Sequence, residues 1–538
     1  MTIHISSSLY TSGPWYNSRD SWNARKFSPK STTAMPLKIT QLGAAVREKT
    51  STLTSRLPAI VATTLSASLL VTGSVVAARW LGWLQGPELA AYDHYMRRRP
   101  VAPLDDRLLV VGVDETDIQT RQEFPIRDRT LADVLTALVA NDPLAIGVDI
   151  ARDIPQGDGR AELASVMAKN EQIISGCQMS GGDNPGVPPA PGAPPERTAF
   201  ADFPKDPDGI VRRSILVSVP GPSEVPLPVQ HLCNDTNPEN QMVSLHFSMA
   251  LAYLSSQGIE ATAGEDGEIQ LGQATLHRLG QQAAGYRRTQ AYDYQVLMNY
   301  QGAEKTIRVV SLSDVLKGAV KPDWIRGKVV LIGYTSAVAK DLLATPFSAA
   351  GDGGDLMPGV EIHAQGTSQL ISAALGERPL MWYWPWSVEV LWILGWAIAG
   401  GAIAYTNHRI WLFIVLEQAL LVGLYLICFV AFIEGGWLPL IPAVFAVLGS
   451  AFGVALLSRA DEGGYTQAIY EQMREKVKGM VQPKIEIDQA KREREVSEIT
   501  DSGYFQDLVS RAKTIREQRK QSLSKSTLEF EKTDGSPE

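Results

Sequence analysis

Apolar residues in this chain are clumped. Four runs stand out: Leu57 to Leu84, Trp384 to Tyr405, Ile410 to Ile433 and Leu438 to Leu457, each with one charge or none. Each matches the roughly 20 residues a helix needs to cross a hydrocarbon layer about 30 Å thick. The first run is too long and starts too far into the chain for a cleaved signal peptide, so it is expected to be an anchor.

Between the first and second runs the pattern changes. Asp106 to Thr116 (DRLLVVGVDET) predicts a buried strand ending in acids. Thr130 to Ala140 has helical periodicity, with Leu131, Val134, Leu135 and Leu138 on one face. Ala145 to Ile150 predicts a second strand, Ala161 to Lys169 a helix, and Gln172 to Ile174 the start of a third strand. Strand and helix in alternation predict an α/β domain, a mostly parallel sheet with flanking helices. Residues 179–196 are rich in Gly and Pro and predict a mobile surface loop. Asp208-Gly209 predicts a tight hairpin turn feeding a short strand. Leu245 to Leu254 predicts a helix, and Gly327 to Gly333 a turn into a buried strand. Gly351 to Gly354 predicts a flexible loop, and Val360 to Leu370 a helix leading back to the membrane.

Charge sets the expected orientation. Arg47, Lys49 and Arg56 precede the first run, Arg409 lies between the second and third, and Arg459 follows the fourth; the turn Glu434-Gly435-Gly436 carries no positive charge. These basic flanks share one side if both termini are cytoplasmic. Arg97, Arg98 and Arg99 oppose that choice. The overall split favours it, with about +6 on residues 1–56 and about −12 on residues 85–382. The expected organisation is a largely disordered cytoplasmic segment 1–56, helix one within 57–84, an extracytoplasmic domain 85–382, helices two to four within 383–458, and a cytoplasmic helical tail 459–538. That places the chain in the inner (plasma) membrane as a multi-pass protein. Trp382, Tyr383, Trp384 and Trp386 are expected at the outer headgroup level, with Trp437 as neighbour.

The formal charge of −8 argues against a nucleic-acid partner. The three cysteines include no C-x-x-C pair. Cys177 and Cys233 are a disulfide candidate if their segment is extracytoplasmic, although spacing alone does not bring them together. Asp114-Glu115 and Asp149 close strands, where open α/β sheets bind ligands, or they cap the turns that follow. Arg127 and Asp341 complete the candidate ligand contacts. In the apolar runs, Glu417 and the pair Gly449 and Gly453 are candidates for transmembrane coupling, and Ala397 and Gly401 make a second small-xxx-small pair that allows close helix approach. No nucleotide loop, kinase set, H-E-x-x-H or G-x-S-x-G is present. His231, His246 and His363 are scattered, and Asp352 and Asp355 lack the alternating ligands of a calcium loop. No catalytic residue, metal or cofactor is therefore expected.

The segment from Val110 to Ala364 resembles a CHASE2 domain, an extracytoplasmic sensory module of bacterial signalling proteins. The resemblance rests on Val110 to Glu115, Pro125-Ile126-Arg127, Gly147 to Ile150, Asp206 to Arg213, Asn299 to Gly302, Gly327 to Gly333, Thr345-Pro346 and Pro358 to Ala364, in that order. The family also places one helix before the domain and three after it. Where it often has Trp-Pro-Trp-Pro-Arg, this chain has Glu123-Phe124-Pro125-Ile126-Arg127. The resemblance supplies no binding residues. It implies a sensor, but relatives commonly continue into catalytic outputs, and the tail here shows none.

Ala468 to Val481, Ile485 to Ile499 and Tyr504 to Gln518 predict charged helical pieces suited to a linker or a partner. The expected function is a non-catalytic membrane sensor that binds an extracytoplasmic small molecule or envelope ligand and signals to a separate cytoplasmic effector, a homodimer being the simplest arrangement for signal passage. A scaffold docking an envelope or membrane partner is the alternative. A transporter subunit or hydrolase using Asp114, Asp149 and Arg127 ranks third.

Overall fold

A computed structural model describes residues 61–461, apart from 265–266, 288–292, 304, 349–355 and 408, with eight positions between 503 and 517. The expectations for residues 1–56, for the loop 351–354, for Asp352 and Asp355 and for most of the tail lie outside these residues. The eight tail positions are helical.

The elements in chain order are α1 (Val61–Trp80), α2 (Gln85–Arg98), β1 (Asp105–Val113), α3 (Glu115–Arg121), α4 (Asp128–Val139), β2 (Ala145–Asp149), α5 (Arg160–Lys169), β3 (Ile173–Cys177), β4 (Thr198–Phe200), β5 (Arg213–Ser218), β6 (Met242–Val243) and α6 (Leu245–Ser256). There follow β7 (Ala261–Ala263), β8 (Ile269–Leu271), β9 (Ala274–Leu276), β10 (Tyr294–Leu297), β11 (Ile307–Ser311), α7 (Leu312–Leu316), β12 (Val329–Tyr334), β13 (Leu342–Leu343), β14 (Met357–Pro358), α8 (Gly359–Ala374), α9 (Trp386–Thr406), α10 (Ile410–Ile433) and α11 (Leu440–Asp461).

Six strands form an all-parallel sheet in the order β11-β1-β12-β2-β3-β4. Alternation sends Leu109, Val111 and Val113 of β1 to one face, where they meet Leu131, Leu135, Leu163 and Leu312 of α4, α5 and α7. Leu108 and Val110 point to the other face, against Leu245, Met249, Val360 and Ala364 of α6 and α8. Burial on both faces explains why these strands read as continuous apolar runs. Close approach of α8 needs Gly333 in β12, since a Cβ there would lie 2.5 Å from the Val360 Cβ. A second sheet, β10-β5-β6, is antiparallel, and β7-β8-β9 forms a small meander.

Several expectations need correction. The first apolar run holds one helix, which ends at Trp80; a turn through Gly82, whose φ is +84°, leads to α2 just past the run. Helix α2 packs at the junction with the apolar helices. Its Tyr92, Tyr95 and Met96 share a core with Leu424, Cys428 and Phe432 of α10. Trp437 is buried in that core, 4.8 Å from the Tyr92 ring, and so is not an exposed belt residue. The turn at Asp206–Gly209 is tight, but β5 pairs with β6 and β10 and forms no hairpin across it. The Pro-rich stretch 179–196 does not stand off as a free loop. Backbone hydrogen bonds join Gln178 to Val187, and Ala190 is buried against α5.

All four apolar helices, α1, α9, α10 and α11, are long and apolar enough to cross a membrane.

Candidate functional site

The carboxyl ends of β2, β3 and β12 open into a cavity of about 600 Å³. Its place follows from topology. Strand β2 leads to α5 on one face of the sheet, while its neighbour β12 leads to α8 on the other. Connections that part to opposite faces leave a crevice between adjacent strands, where α/β proteins bind ligands.

Asp149, the last residue of β2, lines this crevice with Asp341, Asp202, His363, Phe203 and Lys205. Gly359 opens α8 directly beneath Asp341: a Cβ there would fall 2.9 Å from both carboxylate oxygens. The Asp202 carboxylate accepts from the Met179 N–H at 2.8 Å, which ties the Pro-rich stretch to the site. Cys177 at the end of β3 also lines the cavity and is bonded to Cys233.

Crowding and burial govern the electrostatics. Burial, reinforced by Asp341 and Asp202, holds the Asp149 carboxyl well above the usual carboxylate range. Burial raises Asp341 to about 6 against the opposing pull of Lys205. Asp202 is raised to about 6 by burial, offset by the Met179 N–H. His363 is fully buried, and burial pushes it down to about 3, so its ring is neutral. Its Nδ1 lies 3.3 Å from Nδ1 of His246, and Phe203 packs on its ring at 4.4 Å. His363 Nε2, 3.9 Å from Asp149, has no side-chain hydrogen-bond partner.

Of the five candidate ligand contacts, the fold brings together Asp149 and Asp341 alone. Asp114 caps α3, accepting from the Asp117 N–H at 2.7 Å. Glu115 accepts from Ser336 Oγ and from Gln119. Arg127 is exposed and pairs loosely with Glu123 and Asp158. Asp202, Phe203 and His363 were missed. Nothing local marks Asp202, which follows the three-residue strand β4; His363 was noticed only as an isolated histidine. Phe124, standing at the departure from the family motif, lines the cavity against Tyr334. Among the described residues, no group of three or more His, Cys, Asp or Glu side chains is arranged to hold a metal ion.

Two connections run from the site's surroundings to the apolar helices. Asp206 and Arg212 follow Lys205 closely in the chain. Arg212 grips Asp93 of α2 through two 2.7 Å hydrogen bonds and Asp206 at 2.8 Å, all three side chains being buried. On the other side, α8 carries His363 at the cavity. Its Gln365 and Gln369 accept from the backbone N–H groups of Gln301 and Asn299, and the chain enters α9 soon afterwards.

Where the helices meet the domain, Arg79 of α1 and Glu389 of α9 form a buried ion pair at 2.7 Å. Arg79 also donates to the Ala284 carbonyl at 2.6 Å. Glu88 of α2 accepts from the N–H groups of Leu440 and Ile441 at the start of α11. The proposed coupling residues are placed differently. Gly449 packs against Val71 of α1 and Gly453 lies near Ala67, so this pair is a helix contact. Glu417 is buried in α10, and both its carboxylate oxygens lack partners. Gly401 and Ala397 face α11 and α1 at the same bundle interface, where Ser68 and Ser450 hydrogen-bond at 2.9 Å.

A doubly covered parallel sheet with a crevice between β2 and β12, joined to four apolar helices, defines an α/β binding domain. The family model of the CHASE2 domain matches residues 69–402, well over half the chain, and the protein belongs to this family of sensor domains. The match begins inside α1 and ends inside α9, so the family unit includes parts of both flanking helices. Comparison with curated proteins and with solved structures finds no match.

Proposed function

We propose that this protein is a membrane-anchored sensor, binding rather than transforming its ligand. The α/β domain lies outside the cytoplasm, takes a small molecule into the cavity at Asp149 and Asp341, and changes the packing of the helices. The tail passes that change to a separate cytoplasmic effector, in a dimer of the chain. One observation carries this reading. The element that supplies the cavity's His363, α8, leads directly toward α9, and α9 is ion-paired through Glu389 to α1.

The Arg212 cluster supports the same reading, since it ties the cavity's neighbourhood to α2. A route of packed groups is not by itself evidence of coupling, so the test must measure coupling. Single cysteines at Ser223→Cys and Ser526→Cys, in a background lacking Cys428, are treated with a membrane-impermeant maleimide on intact cells. Labelling at 223 alone supports the orientation; labelling at 526 alone reverses it. Coupling is then read from crosslinking between tails of the full chain in nanodiscs, with and without a cavity ligand. An unchanged pattern on saturation would defeat the sensor reading.

A further inference from the structure

We infer that the cavity takes a small organic cation, an ammonium group carried on an apolar or aromatic body. This deepens the sensor reading and rests on it for the location of the site. The first support is the balance of charge. Asp149, Asp202 and Asp341 converge on the cavity and none is within ion-pair distance of a lysine or arginine among the described residues. Arg152, the buried cation in the lining, is already engaged by Asp128 and by the carbonyls of Ile126 and Ala151. Lys205, Lys340 and Asp153 are exposed, so they stand at the mouth.

The second support is independent of the acids. His363 is fully buried in the cavity lining, and its Nε2 lies 3.9 Å from Asp149 with no side-chain hydrogen-bond partner. Behind it His246 is also held neutral by burial and by His363, so neither ring adds a positive charge that would repel a cation. A neutral imidazole nitrogen can accept one ammonium N–H while carboxylates accept the others. Phe203, Phe124 and Tyr334 supply aromatic surface suited to a cation and to an apolar body. A cavity of about 600 Å³ is the size of an ordinary small-molecule site. A bare metal ion fits less well, because no three ligating side chains are arranged around one position among the described residues.

An ammonium bound beside Asp149 replaces the proton that burial and its neighbours otherwise keep there. Binding should therefore release protons, and affinity should rise as pH increases from 5 to 7.5.

The test uses the full chain in nanodiscs, with thermal melting and calorimetry in buffers of two ionisation enthalpies. The probes are phenethylamine, putrescine, phenylacetate and calcium chloride. Phenethylamine is expected to raise Tm, to bind more tightly at pH 7.5 than at pH 5, and to release protons. Asp149→Asn and Asp341→Asn should each weaken it by about tenfold or more, the loss expected for one charge-assisted hydrogen bond. Melting of the unliganded variants shows that they remain folded. Binding of phenylacetate or calcium in place of the amines, binding undiminished in both variants, or no binding by either amine would overturn the inference. The two readings fail separately. An amine that binds without altering tail crosslinking leaves the ligand class standing and removes the sensor. An anion that alters crosslinking does the reverse.

Discussion

Asp341 shows how one residue's environment sets a measurable property of the domain. A free aspartate titrates near 3.9, and here burial raises the group to about 6. Between those values the folded chain holds a proton that the unfolded chain has lost. The sign follows: this group's contribution to stability is complete below about pH 4 and is lost as pH rises through 6. Asp149 and Asp202 act in the same direction. Buried His363 and His246 oppose them, because the unfolded chain's imidazoles take up protons below about pH 6.5 while these two stay neutral, so the acids' share is read from substitutions and not from the net profile. Asp341→Asn should reduce the stability lost between pH 5 and pH 7.5 by about 1 kcal/mol, checked by melting curves across that range. A profile unaltered by the substitution would show that the carboxylate is solvated. Asp114 makes the contrast. It closes a strand just as Asp149 does, yet its side chain caps α3 through Oδ1 and does not line the cavity.

At the scale of elements, packing between sheet and helix is the main constraint. Gly333 is where β12 and α8 touch, with no room for a methyl group beside Val360. Gly333→Ala is expected to destabilise the domain by about 1–3 kcal/mol through overpacking, measured by denaturant or thermal unfolding. The Arg212 cluster binds α2 to β5 in the same tight fashion. Arg212→Met leaves Asp93 buried without its cation, while Asp206 keeps Arg213 at 2.8 Å. A loss of about 3–5 kcal/mol is expected, larger than the loss from removing the exposed Arg127. Strands β1, β2, β3 and β12 and helices α4, α5 and α8 were legible in the sequence because their apolar pattern records burial, whereas the short strand β4 and the edge strand β11 were not. Helix α2 was not, because its buried face is made of Tyr92, Asp93, Tyr95 and Met96, and Tyr92 and Asp93 find their hydrogen-bond partners only far along the chain.

For the whole molecule, the junction between domain and apolar helices decides whether an event in one reaches the other. Arg79 and Glu389 come from helices more than 300 positions apart, and both are buried at that junction. Arg79→Ala is expected to lower the melting temperature of the full chain and to weaken any ligand-dependent change in tail crosslinking, while ligand affinity at the cavity changes little. Equal loss of affinity and of crosslinking would place Arg79 in the structural support of the site. The sequence by itself determined the four apolar helices, the parallel α/β character of the domain and the family, since clumped hydrophobicity, strand-helix alternation and ordered motifs are properties of the linear chain. Tertiary structure alone decided which acids meet. Asp149 ends β2, Asp202 follows β4 and Asp341 follows β12, and their shared crevice exists because neighbouring strands send their connections to opposite faces of the sheet.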